Sequence, residues 1–166
     1  MSVNDNGEII SSPFLGWLHH NDNVTTVFLD ITTETGSRVS LSPRHLIMVT
    51  DNANMPARMK FANTVSVGDY LLSGGSGLVR VSSVTSQVLT GVYAPLTSTG
   101  TLLVDDLLAS CYANIGSHHL AHVAALPFRL FPQILHCGVG RILKNKYLKN
   151  AIAHCAMTRQ RYIPWP

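Results

Sequence analysis

Short apolar segments, each closed within a few residues by glycine, proline or asparagine, fill the first 116 positions of this 166-residue chain and restrict its fold more than any other feature. Val27, Leu29 and Ile31 share one parity while Phe28, Asp30 and Thr32 take the other, which is the alternation of a half-buried strand. Asp5-Asn6-Gly7 predicts a tight hairpin turn, and Glu8 to Ser12 a short strand that Pro13 confines to an edge or an end. Phe14 to Leu18 predicts a second strand stopping at His19-His20-Asn21-Asp22-Asn23. From Val39 to Val49 the pattern is strand, a sharp break at Pro43, then strand again. Residues 51–63 show little periodicity and predict a connection, after which Val65 to Leu72 restarts the strand pattern up to the flexible turn Ser73-Gly74-Gly75-Ser76-Gly77. Leu78 to Thr90 alternates with one slip at Ser82-Ser83, the mark of a β-bulge. Two further apolar segments flank Thr97-Ser98-Thr99-Gly100, and Leu102 and Val104 predict a strand leaving a hairpin there. Strands this short and closely punctuated predict an all-β architecture rather than βαβ units.

Composition excludes several classes. Hydrophobic residues are 46% and charged residues 13% of the chain, a globular balance rather than a disordered one. A net charge of +3, with no Lys or Arg cluster before residue 141, gives no basis for nucleic-acid binding. Three cysteines without a C-x-x-C pair fit neither a disulfide framework nor a zinc ribbon. The N-terminus has no basic start followed by an apolar core, so no signal peptide is visible.

After Ala113 the pattern changes from period two to helical. Ser117 is a natural N-cap, and Leu120, Val123 and Ala124 follow at helical spacing before Pro127. A second helical stretch is predicted from about Ile134 to Met157, apolar on one side and basic through Arg141, Lys144, Lys146 and Lys149 on another. Such a tail suits packing against the domain, a membrane surface or a lipid. The boundary falls near Gly116, giving a β domain over residues 1–116 and a helical extension over 117–166.

One succession of uncommon motifs points to a family. Gly91-Val92-Tyr93-Ala94-Pro95-Leu96-Thr97 is followed by Gly100-Thr101, then Ser110-Cys111-Tyr112-Ala113, then Ser117-His118-His119-Leu120-Ala121-His122 and finally Leu126-Pro127-Phe128-Arg129-Leu130. In that order they resemble the autoprocessing half of hedgehog proteins, hedgehog proper more closely than the warthog and groundhog types, over Asn6 to Leu130. The resemblance implies the Hint (hedgehog/intein) fold, built of pseudo-symmetric halves of curled β-hairpins, each opened by a Val-Gly-Asp-type strand. Only the second opener, Val67-Gly68-Asp69, is present here.

The resemblance also implies a reaction. A cysteine opening the domain attacks the preceding carbonyl, the acyl group moves from nitrogen to sulfur, and the thioester passes to a sterol, another alcohol or water, releasing an N-terminal signalling half. The activity is thus that of a self-processing cysteine-type peptidase and acyl transferase in a monomeric domain of a secreted parent. The opening strands and that cysteine would lie upstream of Met1, so these 166 residues by themselves are expected not to self-cleave. The alternative is a non-catalytic β module with a lipid- or partner-binding helical tail.

Four residues are candidates for this chemistry. Ser42-x-x-His45 sits at a strand break, where a hydroxyl and an imidazole can face one scissile amide; a turn serine beside a core histidine would give the same spacing. The family carries Thr-x-x-His here, with the histidine polarising and protonating the amide, so His45 is implied as the catalytic residue and Ser42 as its helper. Cys111 reads as a small buried hydrophobe; in the family the cysteine of this motif lies near the nucleophile and can pair with it. His19 occupies the place of the family's sterol-activating aspartate, and His20 adjoins it. Both suit a solvated turn, yet an imidazole can serve as a base near neutral pH, leaving the acceptor open among sterol, other alcohol and water. His118 and His122, four apart on the predicted helix, and the pairs His136-Cys137 and His154-Cys155 lack any C-x-x-C knuckle. No metal or cofactor is therefore expected.

Overall fold

The computed structural model describes residues 1–3 and 8–133. The first strands, β1 (Ser2–Val3) and β2 (Ile9–Ile10), pair antiparallel with Ser2 opposite Ile10. The Asp5-Asn6-Gly7 turn and the predicted helix from Ile134 to Met157, with Cys137 and Cys155, lie outside the described residues. Then follow β3 (Phe14–Thr33), β4 (Arg38–Leu41), β5 (His45–Thr50), β6 (Arg58–Phe61), β7 (Tyr70–Ser73), β8 (Gly77–Thr97), β9 (Thr101–Val104) and β10 (Leu107–Ala113). They form one antiparallel sheet in the order β4-β3-β8-β7-β10-β5-β6, with β9 beside β10. Two short helices, α1 (His118–Ala124) and α2 (Leu126–Leu130), close the described part. The all-β expectation holds, with the Ser117 hydroxyl capping α1 by accepting from Leu120 N–H.

The spine is the β3–β8 ribbon of 20 and 21 residues, and it is longer than the sequence pattern suggests. His19 to Asn23 does not end a strand. The register slips between Asn21 and Thr25, where Asn21 Oδ1 accepts from Asn23 N–H, so the polar residues are absorbed as a bulge in a continuing strand. Phe14, Trp17, His20 and Tyr93 make a ladder of ring contacts, 5.1 to 6.1 Å between centroids, that stiffens this end. The bulge at Ser82 is present: Thr32 opposes Ser83 and Thr33 opposes Val81.

Four further features depart from the pattern. Phe28 and Asp30 are buried and Val27 is exposed, while Ile31 on the other parity is also buried, so both faces of β3 are covered at residues 28–31. Asp30 is tolerated there because Arg38 Nε donates to it at 2.7 Å and Ser40 Oγ at 2.9 Å. Residues 51–63 contain β6, an edge strand on β5. Val65 to Asp69 is a turn rather than strand, with Ser66 N–H donating to the Asp69 carboxylate and Gly68 at φ +98°. Finally β9 pairs with β10, not β8, through a tight turn in which Asp105 and Asp106 both hold positive φ.

The main core gathers Ile31, Val39, Leu41, Ile47, Val49, Leu71, Val81 and Leu107. A second cluster joins Leu96, Cys111 and Tyr112 to Ala121 and Ala125, so α1 packs directly on β10. Every residue of β10 is buried, which makes this strand the platform for the site.

Candidate active site

Pro43 cannot continue β4, and its break is closed by His45 N–H donating to Ser42 C=O at 2.9 Å. Ser42 and His45 are both buried, His45 completely. The structure therefore brings the two predicted residues together in one tight turn. His45 opposes Ala113 of β10, and the β5–β10 register slips between Ala109 and Ala113. Across that slip the ring replaces a main-chain partner: His45 Nε2 lies 2.7 Å from the carbonyl oxygen of Ser110. A carbonyl only accepts, so Nε2 carries the proton. The other end of the same peptide unit, Cys111 N–H, donates to Gly100 C=O at 2.7 Å, which fixes the peptide plane.

Burial dominates the electrostatics. Desolvation lowers the His45 pKa to about 4, against a partial raising by the Ser110 hydrogen bond, so the imidazole is neutral at physiological pH. Such a ring donates through Nε2–H, and once protonated it is a strong acid. Cys111 directly follows the carbonyl that His45 holds. It is a buried free thiol 3.5 Å from Thr97 Oγ1, and desolvation raises its pKa to about 11. Its thiolate fraction at neutral pH is negligible, which fits a packed side chain better than a nucleophile.

His19 stands apart, on the ribbon opposite Ala94 and half-buried. The preceding residue, Leu18, packs against Ala94 and Ala113 and against the cluster containing Cys111, so this part of β3 borders β10.

Three participants were not singled out from the sequence. Ser110 is completely buried and holds His45 through its carbonyl; its hydroxyl lies 2.9 Å from His118 Nδ1 and accepts from Tyr112 N–H at 3.0 Å. Tyr112 Oη lies 2.9 Å from His122 Nδ1. Thr97 touches the Cys111 sulfur. The available signal was the two-residue spacing of Ser110 and Tyr112, which puts both on one face of a strand. Burial lowers the pKa of His118 and lowers that of His122 to about 4, with Arg129 and neighbouring histidines adding to the effect at His122.

An antiparallel sheet followed by two short helices among the described residues is the architecture expected of a Hint module. The chain belongs to the Hint family, whose model, described as Hint module, matches residues 1–158. Within it the chain is of the hedgehog type. It is 38% identical over 143 residues to Indian hedgehog protein of Gallus gallus, covering 81% of this chain and 35% of that protein. It is 35% identical over 137 residues to Protein hedgehog of Drosophila virilis, covering 78% and 28%. Warthog protein 1 of Caenorhabditis elegans is 29% identical over 119 residues, covering 70% and 24%. The chain thus spans about a third or less of the length of these relatives.

Proposed function

We propose that the chain is the autoprocessing domain of a hedgehog-type precursor that enters the secretory pathway. A cysteine thiol at the junction with an N-terminal signalling half attacks the preceding carbonyl. The carbon–nitrogen bond breaks as the carbon–sulfur bond forms, and the released amine takes up a proton. The thioester then passes its acyl group to a sterol, another alcohol or water, which frees the N-terminal half and restores the thiol. In this scheme His45 polarises the scissile amide, takes the thiol proton as sulfur attacks and passes it to the leaving amine, and Ser42 helps hold it.

The observation carrying this proposal is the neutral, solvent-excluded His45 ring fixed 2.7 Å from Ser110 C=O in the Ser42–His45 turn. A neutral imidazole with a pKa near 4 holds the thiol proton only transiently and passes it readily to the leaving amine, and burial keeps water from competing for it. His19 is the base proposed for the acceptor hydroxyl. The exposed apolar residues Leu120, Val123, Leu126 and Leu130 of the two helices offer a surface for a lipid acceptor.

The test uses the precursor carrying its N-terminal half. Dithiothreitol or hydroxylamine should release that half from the wild type, and His45→Ala should abolish release. The mass of the released half identifies the acceptor as sterol, smaller alcohol or water. Unchanged release in the His45→Ala precursor overturns the assignment.

A further inference from the structure

A second cluster of ligand-type side chains lies where α1 packs on β10, and the acyl-transfer scheme leaves it unused. Ser110 and Tyr112, two apart on β10, face the same side of the strand, while His118 and His122, four apart, share one side of α1. The two pairs interlock. His118 Nδ1 lies 2.9 Å from Ser110 Oγ, and His122 Nδ1 lies 2.9 Å from Tyr112 Oη. The imidazoles are stacked, 5.6 Å between centroids and 17° between planes. Gly100 makes room for this arrangement, since a Cβ there would overlap His122 Nδ1 and come within 2.8 Å of Tyr112 Oη.

With Nδ1 of each ring anchored to β10, Nε2 of each is turned away from the hydroxyl that holds its ring. We propose that His118 and His122 form a two-histidine site for a divalent transition-metal ion, each ring contributing Nε2. Imidazole nitrogens suit zinc, copper and nickel. Two nitrogens on one such ion stand about 3 Å apart, given bond lengths of about 2.0–2.1 Å, so the rings, 5.6 Å between centroids, must rotate to bring their Nε2 edges together. The Ser110 and Tyr112 hydroxyls then play the part usually taken by carboxylates or carbonyls at metal-bound histidines, fixing ring orientation from the far nitrogen. Among the described residues no group of three or more His, Cys, Asp or Glu could hold a metal ion, so the described part of the site supplies two protein ligands. Bound there, the ion would link successive turns of α1 on the side that packs against β10.

The test is calorimetric titration of the full chain, stripped with a chelator, with Ni2+. His118→Ala and His122→Ala should each weaken the tightest binding at least tenfold, whereas His119→Ala, which alters the exposed neighbouring ring, should leave it unchanged. A second measurement needs no variant: substoichiometric Cu2+ should broaden the His118 and His122 ring signals in NMR spectra before those of the other six histidines. Equal binding by all three variants, or earlier broadening of other rings, overturns the proposal. If an alanine variant does not fold, the order of broadening in the unaltered chain decides.

Discussion

His45 donates from Nε2 to the carbonyl oxygen of Ser110 at 2.7 Å, across the point where β5 and β10 lose register. A side chain thereby does what a ladder amide does elsewhere in the sheet, and it does so without any access to solvent. The ring is a structural strut, and in the proposed scheme it is also the proton-transfer group.

That dual role predicts an acid-sensitive fold. The folded pKa of His45 is about 4 against an ordinary 6.5, so the unfolded chain binds the extra proton more readily between these values. Stability from this residue is complete above pH 6.5, falls as pH drops, and is lost by about pH 4. The shift corresponds to about 3 kcal/mol in total, of which about 2 kcal/mol should be gone at pH 5. Urea unfolding at pH 7.5 and pH 5 checks this. His45→Gln should reduce the pH dependence, leaving the part owed to His118 and His122, whose pKa values are also lowered.

Cys111 should behave as an inert core thiol. With its pKa raised to about 11 by burial, it should resist iodoacetamide at pH 8 in the folded protein and react fully once unfolded. Peptide mass mapping separates it from Cys137 and Cys155. Cys111→Ala should lower stability by about 1 kcal/mol and slow thiol-induced release in the precursor at most slightly. Rapid alkylation of the folded chain at Cys111 would contradict its placement.

Gly100→Ala tests the packing of α1 on β10. The glycine holds φ +72°, and an added Cβ would collide with the His122 ring and the Tyr112 hydroxyl. Backbone strain and displacement of His122 should together cost about 2–3 kcal/mol, read as a lowered urea midpoint. The helical circular dichroism signal should fall before the strand signal does.

Much of this was legible in the residues, for identifiable reasons. The Pro43 break is covalent, so its position follows from the sequence alone, and the Ser82 bulge shows as an interrupted alternation. Non-local pairing was harder to read. The Asp105-Asp106 turn lacks the glycine that usually announces a type I′ hairpin, so β9 appeared to belong with β8. His19 to Asn23 looked like a loop because its residue types favour turns, yet a bulge and the aromatic ladder hold it in the ribbon. The motif around Cys111 marked the right strand without singling out Ser110. Ser110 is the hub, and only the meeting of β5, β10 and α1 reveals it.

His19 should separate the two halves of the proposed reaction. It sits on β3 opposite Ala94, one residue after Leu18 reaches the Cys111 cluster, and not in the Ser42–His45 turn. A base for the acceptor hydroxyl acts only after the thioester exists, so removing it should spare thioester formation. In the precursor, His19→Ala should leave hydroxylamine-induced release within about twofold of wild type, while transfer to an alcohol acceptor falls by about 10²-fold, the usual scale for losing a general base. His19→Asp should restore transfer, since a carboxylate can accept the same proton. Equal loss of both steps in His19→Ala would show that the residue supports the fold rather than the acceptor.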